Sequence, residues 1–503
     1  MGVRAESVMW DRLLSLSGDS ALSLQGQIRE RLVAAILDGH LPPGLPLPST
    51  RELADHLRVS RNTVVIAYGH LVDEGFIEAR ERRGYFVRED AVREVPDADG
   101  GGGAEGAGPR AARSGGAIRW AGRFRYQLGA QRNIVKPADW QDYPYPFIYG
   151  QFDPDLFPIA DWRECCRQAL GVMAVRDWAV DAIDGDDRMF IEQLRTRVLP
   201  RRGVWATTDE IMVTIGAQQA LYLLCDLLFA ADTVVGVEEP GYPDARNIFS
   251  LRAGALVGLG VDGKGLKPDA RLDGCDYVYA TPSHQCPTTV TMPLDRRRRL
   301  LERAREADFV VIEDDHEIET RYAAGPTPSL KSLDRDGRVI YVGNLSKSFA
   351  PGLRLGYIVA SRELIAEARR LRRLMLRHPP SNNLRAAALF LSLGHHDAHL
   401  RRLVHVFKER SEALARALAR HLRGCRVSAH EGGSSYWVEG PPTLDASRLA
   451  ERAREAGILI EPGEVFFMSA PAPRNYFRLG FASIDVARID PGIERLAALM
   501  RDM

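Results

Sequence analysis

The sequence predicts a multidomain protein in which a small helical amino-terminal domain precedes a larger α/β domain. Three helical segments and two β-rich segments fill residues 20–88. Gly and Ala dominate residues 89–118, and such a composition buries too little apolar surface to order itself, so we predict a flexible linker there. β-rich and helical segments alternate through residues 119–503, which predicts a mainly parallel sheet with helices on both faces. A smaller α/β subdomain is expected at about residues 380–503.

Composition and charge narrow the class of protein. The chain has 503 residues, of which 45% are hydrophobic and 27% are charged, as in soluble globular proteins. Its 67 basic and 67 acidic residues cancel, so bulk charge does not indicate a nucleic-acid partner. The sequence has no run of about twenty apolar residues and no signal peptide, so we expect a cytoplasmic protein without a membrane partner. Six scattered cysteines without a Cys-x-x-Cys pair indicate neither a metal site nor disulfides.

The amino-terminal domain is predicted to contain a helix-turn-helix. Its first helix covers residues 24–38, where apolar side chains recur at helical spacing. Ser49 begins a capping box that starts a second helix, ending at Leu57, and Ser60 caps a third helix over residues 61–73. Only a tight turn separates the second and third helices, which is the arrangement of a helix-turn-helix.

The third helix has one apolar and one polar face. The residues expected to pack inward are Val64, Ala67, Tyr68 and Leu71. Hydrogen-bonding side chains remain at the amino-terminal end of the helix, which is where a recognition helix meets base edges. The β-rich residues 76–79 and 85–87 then flank a basic tip at residues 80–84, and this pattern predicts a two-stranded wing.

Residues 24–88 resemble the GntR-type winged helix along their full length, including the phrase at residues 47–54. This resemblance implies that the domain binds double-stranded DNA. The residues implied to contact DNA are Arg51, Arg61 and Thr63, with Gly84 at the wing tip. Residues 1–90 hold 11 basic and 13 acidic side chains, so a winged helix that binds protein stays open as an alternative. The arginines clustered at the wing tip favour DNA.

Lys347 lies in a loop that follows a predicted buried strand at residues 338–342. The loop is therefore expected at the carboxyl end of that strand, where open parallel sheets bind ligands. Its neighbours are small, hydroxylic or apolar, and a desolvated amine loses its proton easily and attacks a carbonyl. Arg354, seven residues further on, is suited to a phosphate. An aldehyde and a phosphate together describe pyridoxal 5′-phosphate (PLP), although a surface loop with an ordinary lysine is the alternative.

Three further segments support this interpretation, and each has an alternative. Asp314 follows the strand at residues 309–312, where its carboxylate could keep a pyridinium nitrogen protonated or, equally, bind magnesium. The strand at residues 210–214 leads into a turn with small residues such as Gly216 and Ala217, followed by a helix whose amino terminus favours an anion. Tyr242 lies in a tight turn, where it could stack on a flat ring or simply pack in the core.

Together these segments resemble the fold type I PLP proteins related to aspartate aminotransferase. The resemblance implies that Lys347 forms the Schiff base with PLP, that Asp314 pairs with the pyridinium, and that Tyr242 stacks on the ring. The residues that it places around the phosphate are Gly216, Ala217, Gln218, Ser346 and Arg354. Two residues depart from the family's pattern: His316 stands where a tyrosine usually contacts the ring oxygen, and Asn344 replaces a hydroxyl residue.

Two more stretches are interpreted through the same resemblance. Residues 475–482 resemble the segment that carries the family's carboxylate-binding arginine, which implies that Arg478 binds the carboxylate of an effector. Residues 119–158 are rich in aromatic residues and proline, and in the resembled fold this part of the chain lies near the active site and the dimer contact. We therefore expect residues 119–158 to contribute to the pocket or to an interface.

A GntR-type winged helix joined to an aminotransferase-like domain resembles the MocR/GabR group of bacterial regulators across nearly the whole chain. The resemblance implies a homodimeric, PLP-dependent transcriptional regulator that binds DNA and senses an amino acid or amino acid derivative through an aldimine on Lys347. The main alternative is an active aminotransferase (transaminase) with a DNA-binding appendage, although His316 and Asn344 weigh against turnover. A third hypothesis is a sensor of PLP itself.

Overall fold

The computed structural model describes residues 10, 13–17, 22–90, 118–183, 185–317, 327–345, 347–428 and 432–503. The chain divides into two compact units, Met1–Phe124 and Arg125–Met503. Two predictions fall outside the described residues: most of the proposed linker, at residues 91–117, and the proposed phosphate ligand Ser346.

The amino-terminal unit contains the predicted helices and wing. Its elements are α1 (Leu24–Leu37), α2 (Thr50–Leu57), α3 (Arg61–Asp73), β1 (Ile77–Arg80) and β2 (Gly84–Val87). The two strands pair antiparallel, as a wing requires. Ser49 and Glu52 form the predicted capping box at the start of α2, and the hydroxyl of Ser60 accepts a hydrogen bond from the backbone N–H of Thr63.

The core of this unit forms where α3 packs on α1 and on the wing. The four residues predicted to face inward, Val64, Ala67, Tyr68 and Leu71, are all buried. They pack with Ile28, Leu32 and Ile36 of α1 and with Ile77 and Val87 of the wing. Tyr68 also donates a hydrogen bond of 2.9 Å to the carbonyl oxygen of Pro48, which satisfies its buried hydroxyl and fixes α3 to the connector before α2.

The carboxyl-terminal unit is an α/β structure built on a large mixed sheet. Its strands are β3 (Tyr145–Pro146), β4 (Ile211–Ile215), β5 (Val234–Glu239), β6 (Ala255–Asp262), β7 (Gly265–Leu266), β8 (Tyr277–Ala280), β9 (Val310–Asp315), β10 (Val339–Asn344), β11 (Leu355–Val359), β12 (Arg426–Val427), β13 (Ser435–Glu439), β14 (Ile458–Leu459), β15 (Glu461–Pro462) and β16 (Tyr476–Gly480). Eight of these strands pair in the order β4-β11-β10-β9-β8-β5-β6-β7. Six of the eight run in one direction, and β11 and β7 oppose them. The mainly parallel sheet is confirmed.

Helices cover both faces of the sheet, as alternating strands and helices predict. The helices of this unit are α4 (Ile159–Ala169), α5 (Val172–Trp178), α6 (Arg188–Gln193), α7 (Gly216–Leu228), α8 (Pro243–Phe249), α9 (Leu294–Glu306), α10 (Leu330–Leu333), α11 (Arg362–Leu376), α12 (Ser381–Ser392), α13 (His395–His421), α14 (Ala446–Glu455) and α15 (Val486–Arg501). Successive residues of β9 pack on opposite faces of the sheet: Val311 packs with Leu300 of α9, whereas Ile312 packs with Leu221 of α7.

A smaller α/β subdomain occupies the end of the chain. Its antiparallel sheet has the strand order β12-β13-β16-β15. Helices α13, α14 and α15 share one hydrophobic core with β13 and β16, in which Leu414, Leu449 and Leu496 are buried. The short pair of β3 and β14 attaches the earlier segment around Tyr145 to this subdomain. Within the described residues no helix is long and apolar enough to cross a membrane.

Candidate functional site

A cavity of about 370 Å³ lies at the carboxyl ends of β4, β5, β9 and β10. Seven of the predicted site residues line it: Ala217, Gln218, Tyr242, Asp314, His316, Lys347 and Arg354. The remaining lining residues are Ile134, Lys136, Tyr149, Gly150, Asp244, Cys286, Asn344 and Pro351. Residues from four separate strand ends therefore meet at one site, which is where open α/β sheets bind ligands.

Lys347 is a half-buried amine with a lowered pKa. Burial is the main cause and lowers the pKa of Lys347 to about 8, while the nearby carboxylate of Glu317 acts in the opposite direction. Its Nζ lies 4.0 Å from the centre of the Tyr149 ring. Because a useful fraction of such an amine is neutral near physiological pH, Lys347 is suited to attack a carbonyl carbon.

Asp314 presents one unsatisfied carboxylate oxygen at the cavity. Its Oδ2 accepts a hydrogen bond of 2.7 Å from the hydroxyl of Tyr279. Its Oδ1 is buried and has no hydrogen-bond partner among the residues that the structure describes. Burial raises the pKa of Asp314 to about 7. A cationic ring nitrogen beside Oδ1 would satisfy this oxygen and favour the ionised carboxylate, so Asp314 fits the pyridinium of PLP.

Gly216 and Arg354 together form an anion-binding corner. Helix α7 begins at Gly216, and its first backbone N–H groups have no partner within the helix. A Cβ on Gly216 would stand 2.8 Å from Nη2 of Arg354, and the φ of Gly216 is +73°. Only glycine therefore lets the guanidinium lie against the start of the helix. The two sources of positive charge suit the phosphate of PLP.

Tyr242 and His316 occupy the sides of the cavity. Tyr242 immediately precedes α8, and its hydroxyl donates a hydrogen bond of 2.9 Å to Asp244. Burial, followed by the neighbouring His284, lowers the pKa of His316 to about 4, so its imidazole is neutral at physiological pH. Nδ1 of His316 lies 3.9 Å from Oδ1 of Asp314. His316 therefore brings a polar but uncharged group to the cavity.

Arg478 is close to this site but is already engaged by a carboxylate. Its Nε donates a hydrogen bond of 2.7 Å to Oε2 of Glu461, and only 1% of its side chain is exposed. The guanidinium lies between two aromatic rings, 4.0 Å from the centre of Tyr149 and 4.7 Å from that of Phe466. Tyr149 thus contacts both Arg478 and Lys347, and among the described residues it is Tyr149, not Arg478, that lines the cavity.

Residues 119–158 contribute to the pocket, as expected, but sequence reasoning did not single out the residues that do so. Lys136, Tyr149 and Gly150 line the cavity, and all three belong to the aromatic segment at residues 119–158. The buried Glu461 reaches Arg478 from the neighbouring strand. Lys136 could have been marked as a candidate site residue from the sequence, because lysines are few among the 67 basic residues of this chain.

The winged helix exposes most of the residues predicted to contact DNA. Arg51 and Arg61 are exposed near the starts of α2 and α3. Thr63 is half-buried, with its hydroxyl 2.8 Å from that of Ser60. Gly84 is exposed at the wing tip with a φ of +99°. Of the tip arginines, Arg80 is paired with Glu78 at 2.6 Å and lies over Phe86, whereas Arg82 and Arg83 are exposed.

The fold and the site define a DNA-binding winged helix fused to an aminotransferase-like domain. Two family models match the chain in this order: bacterial regulatory proteins of the gntR family at residues 24–87, and aminotransferase class I and II at residues 188–496. The chain belongs to the MocR-type family of helix-turn-helix transcriptional regulators. GntR-type regulators bind DNA, and the aminotransferase class I and II family depends on PLP. The predicted fold and class of protein are thereby confirmed.

Similar proteins cover nearly the full length of the chain. The HTH-type transcriptional regulator TauR of Rhodobacter capsulatus is 41% identical over 481 residues, which is 95% of this chain and 97% of TauR. The probable rhizopine catabolism regulatory protein MocR of Rhizobium meliloti is 30% identical over 493 residues, covering 96% of this chain and 95% of MocR.

Aminotransferases are among the solved structures similar to the chain. The kynurenine aminotransferase of Pyrococcus horikoshii has a TM-score of 0.68 and 28% identity, and the match covers 76% of this chain and 98% of that enzyme. LysN, the alpha-aminoadipate aminotransferase of Thermus thermophilus, has a TM-score of 0.67 and 28% identity, with 76% and 99% coverage. The aminotransferase-like part of this protein therefore has the fold of working enzymes.

Proposed function

We propose that the protein is a transcriptional regulator that binds double-stranded DNA with its winged helix and holds PLP at Lys347. The observation that carries this proposal is the meeting of three chemical features in one cavity. These are the amine of Lys347 with its lowered pKa, the unsatisfied Oδ1 of Asp314, and the corner formed by Arg354 and Gly216. Each matches a different part of PLP: the aldehyde, the ring nitrogen and the phosphate.

The roles of the chain's residues follow from these contacts. Lys347 attaches the cofactor, Asp314 pairs with its ring nitrogen, and Tyr242 packs on its ring. The residues proposed to hold the phosphate are Gly216, Ala217, Gln218, Ser346 and Arg354. When bound, PLP supplies an electrophilic carbon that an amine can engage in place of Lys347. The neutral imidazole of His316 adds no charge beside Asp314, so the carboxylate remains available for the ring nitrogen.

We infer that the effector is an amino acid or an amino acid derivative. Its amine engages PLP in place of Lys347, and its carboxylate binds Arg478. Nζ of Lys347 and the guanidinium carbon of Arg478 each lie 4.0 Å from the centre of the Tyr149 ring, so they are separated by at most twice that distance. A small molecule with both groups is therefore long enough to span the two residues.

Effector binding is proposed to act through the two sheets. Lys347 follows β10 of the main sheet, whereas Arg478 belongs to β16 of the smaller subdomain. A molecule that binds both residues stabilises one arrangement of the two sheets over others, and any differential binding shifts that equilibrium. We further propose a cytoplasmic homodimer, because two winged helices on one assembly raise the effective affinity for paired half-sites.

A working aminotransferase is the second candidate, since the similar solved structures are aminotransferases and Lys347, Asp314 and Arg354 are all present at the cavity. Purified protein should be yellow and form a borohydride-reducible adduct that is lost in Lys347→Ala. Incubation with amino acid and keto acid panels then separates the candidates. A change in DNA affinity without keto acid production supports the regulator, whereas steady turnover without any change in DNA affinity supports the enzyme. A response to PLP alone would indicate a cofactor sensor.

A further inference from the structure

The cavity contains a second lysine, Lys136, in addition to Lys347. The chain has 67 basic residues, and only six of them are lysines. Arginine is thus the ordinary basic residue of this protein, and two lysines in one cavity require a specific explanation. The attachment of the cofactor accounts for Lys347. The proposed function, as stated above, does not use Lys136.

Lys136 is held at the cavity by the backbone beside it. Its Nζ donates a hydrogen bond to the carbonyl oxygen of Tyr149 and lies 3.7 Å from Oε1 of Glu461. A Cβ on Gly150 would stand 3.3 Å from Nζ of Lys136 and 2.8 Å from Nζ of Lys347. The two amines therefore flank Gly150, and the absence of a side chain at this position leaves room for both.

Glu461 connects Lys136 to Arg478. Glu461 and Arg478 are cross-strand neighbours in β15 and β16, and Glu461 accepts the hydrogen bond from Nε of Arg478. Oε1 of Glu461 and Nη2 of Arg478 are both buried, and neither atom has a hydrogen-bond partner in the described part of the chain. One carboxylate thus faces two cations, and the guanidinium retains a free donor. Because uncompensated buried charge is costly, this arrangement is suited to one further anion.

We propose that Lys136 and Arg478 together bind the acid group of the effector, with Glu461 as the carboxylate that the two cations share. This inference rests on the proposed function, because the amine of the same effector engages the cofactor beside Lys347. Lys136 makes the site selective for amines that also carry an acid group. Glu461 repels the incoming anion and so keeps the affinity moderate.

The test compares two probes with the same number of carbon atoms, propylamine and 3-aminopropanoate. Full-length protein loaded with PLP is titrated with each, and the midpoint is read from the visible absorbance and, separately, from DNA affinity. Lys136→Met should raise the midpoint for 3-aminopropanoate about tenfold or more, because a charge-assisted contact is lost. The midpoint for propylamine should change less than about twofold. Lys136→Arg keeps the charge and should restore most of the selectivity.

A matched control is Lys264→Met, since Lys264 is exposed in the turn between β6 and β7. Glu461→Gln gives a second, opposite test: it removes the repelling charge and should lower the midpoint for 3-aminopropanoate. The proposal is overturned if Lys136→Met shifts the midpoints for the two probes equally. It is also overturned if Glu461→Gln raises the midpoint for 3-aminopropanoate, because Glu461 would then only position Arg478. If wild-type protein responds to neither amine, the proposed sensor fails as well. If wild-type protein responds and Lys136→Met responds at the same concentrations, only the proposed acid-group site is refuted and the proposed sensor stands.

Discussion

Tyr279 donates a hydrogen bond of 2.7 Å to Oδ2 of Asp314 and leaves Oδ1 of the same carboxylate without a hydrogen-bond partner among the described residues. The bond fixes the orientation of a buried carboxylate, and Nδ1 of His316 lies 3.9 Å from its other oxygen. The bond also favours the charged form, against the burial that raises the pKa of Asp314 to about 7. Asp314 is therefore suited to a cation, and in the proposed function that cation is the ring nitrogen of PLP.

Asp314→Asn should weaken PLP binding. The amide keeps the shape of the side chain but removes the charge that pairs with the ring nitrogen, and a hydrogen bond to a charged group contributes about 1.5–3 kcal/mol. We expect the dissociation constant for PLP, measured by absorbance titration of the apoprotein, to rise by at least about tenfold. Tyr279→Phe keeps the charge and should cost less. Equal PLP affinity in Asp314→Asn and wild type would assign the ring nitrogen to another residue.

The rate at which apoprotein captures PLP should depend on pH through Lys347. Its pKa is lowered to about 8, mainly by burial, and only the neutral amine attacks the aldehyde. The rate, followed by stopped-flow absorbance, should rise with pH and level off above about pH 8 instead of rising towards pH 10. Glu317→Gln should move the plateau to lower pH, because the charge of Glu317 favours the protonated amine. A plateau near the ordinary pKa of lysine would show that Lys347 is solvated.

Arg61→Ala should weaken DNA binding by about 1–3 kcal/mol if Arg61 contacts a base edge. Arg61 is exposed at the first turn of α3, and its nearest polar contact is a long one of 3.5 Å to the hydroxyl of Thr50. Binding is measured by fluorescence anisotropy on a fragment selected in vitro by the wild-type protein, at several salt concentrations. Affinity should fall steeply with salt as counterions are released.

Arg29→Ala is the matched control for this experiment. Arg29 lies in the same domain, but its guanidinium is paired with Glu74 at 2.8 Å. We expect the Arg29 variant to bind DNA like the wild type. An affinity that responds neither to Arg61→Ala nor to salt would favour a winged helix that binds protein.

The sequence predicts Asp314 and Lys347 because each directly follows a β-rich segment. Local pattern is enough to place such residues at the carboxyl end of a strand, and the family resemblance then suggests their chemistry. The two units, the capping box at Ser49 and the inward face of α3 are predictable for the same reason: each depends on residues that are close together in the chain. The direction of a strand is not predictable in this way, because nothing in residues 355–359 indicates that β11 is antiparallel to its neighbours.

The parts of the site that sequence reasoning missed all depend on long-range packing. Lys136 and Tyr149 come from a segment without a strand or helix of useful length, so their approach to Lys347 has no local pattern. The pairing of Glu461 with Arg478 follows from the register of β15, which is only two residues long. Arg478 was predicted as a carboxylate-binding fork, but the sequence does not reveal that Glu461 accepts a hydrogen bond from its Nε.

Protonation of His396 should destabilise the fold below neutral pH. The imidazole is buried and stacks at 4.7 Å on the ring of Phe349, two residues after Lys347. Burial lowers the pKa of His396 to about 3, below the value of an unfolded histidine. The neutral imidazole of His396 therefore stabilises the fold fully above about pH 6.5, and this stabilisation is lost as the pH falls towards 3. Between pH 6.5 and pH 5 the loss should be about 1.5 kcal/mol.

The effect of His396 is measured by comparing how the free energy of unfolding changes with pH in the variants and in wild type. Burial raises the pKa values of Asp314, Glu238 and Glu313 to about 7, and these acids act in the opposite direction in every variant. His396→Phe should therefore lose less stability than wild type between pH 6.5 and pH 5 in chemical denaturation. His405→Phe, on the exposed face of the same helix, should behave like the wild type. Identical pH profiles for His396→Phe and wild type would contradict the assignment.

Arg478→Lys tests whether Arg478 binds the effector's carboxylate more sharply than removal of the side chain does. Alanine at this position would leave Glu461 buried opposite Lys136 alone, and the loss of a charge partner could disturb the fold. Lysine keeps a positive charge for Glu461 but offers a point charge instead of a planar fork. We expect the variant to remain yellow and to bind DNA without effector. Its response to 3-aminopropanoate should need at least about tenfold more ligand, because the bidentate contact is lost.

Arg474→Lys provides the comparison, since Arg474 precedes the same strand but is paired with Asp445 at 3.0 Å on the surface. Its response to 3-aminopropanoate should match the wild type in both absorbance and DNA affinity. If Arg478→Lys also responds at the wild-type concentration, a bidentate carboxylate contact is not required. A point charge would then be enough to bind the acid group of the effector, and the guanidinium between Tyr149 and Phe466 would serve mainly to hold Glu461 in the core.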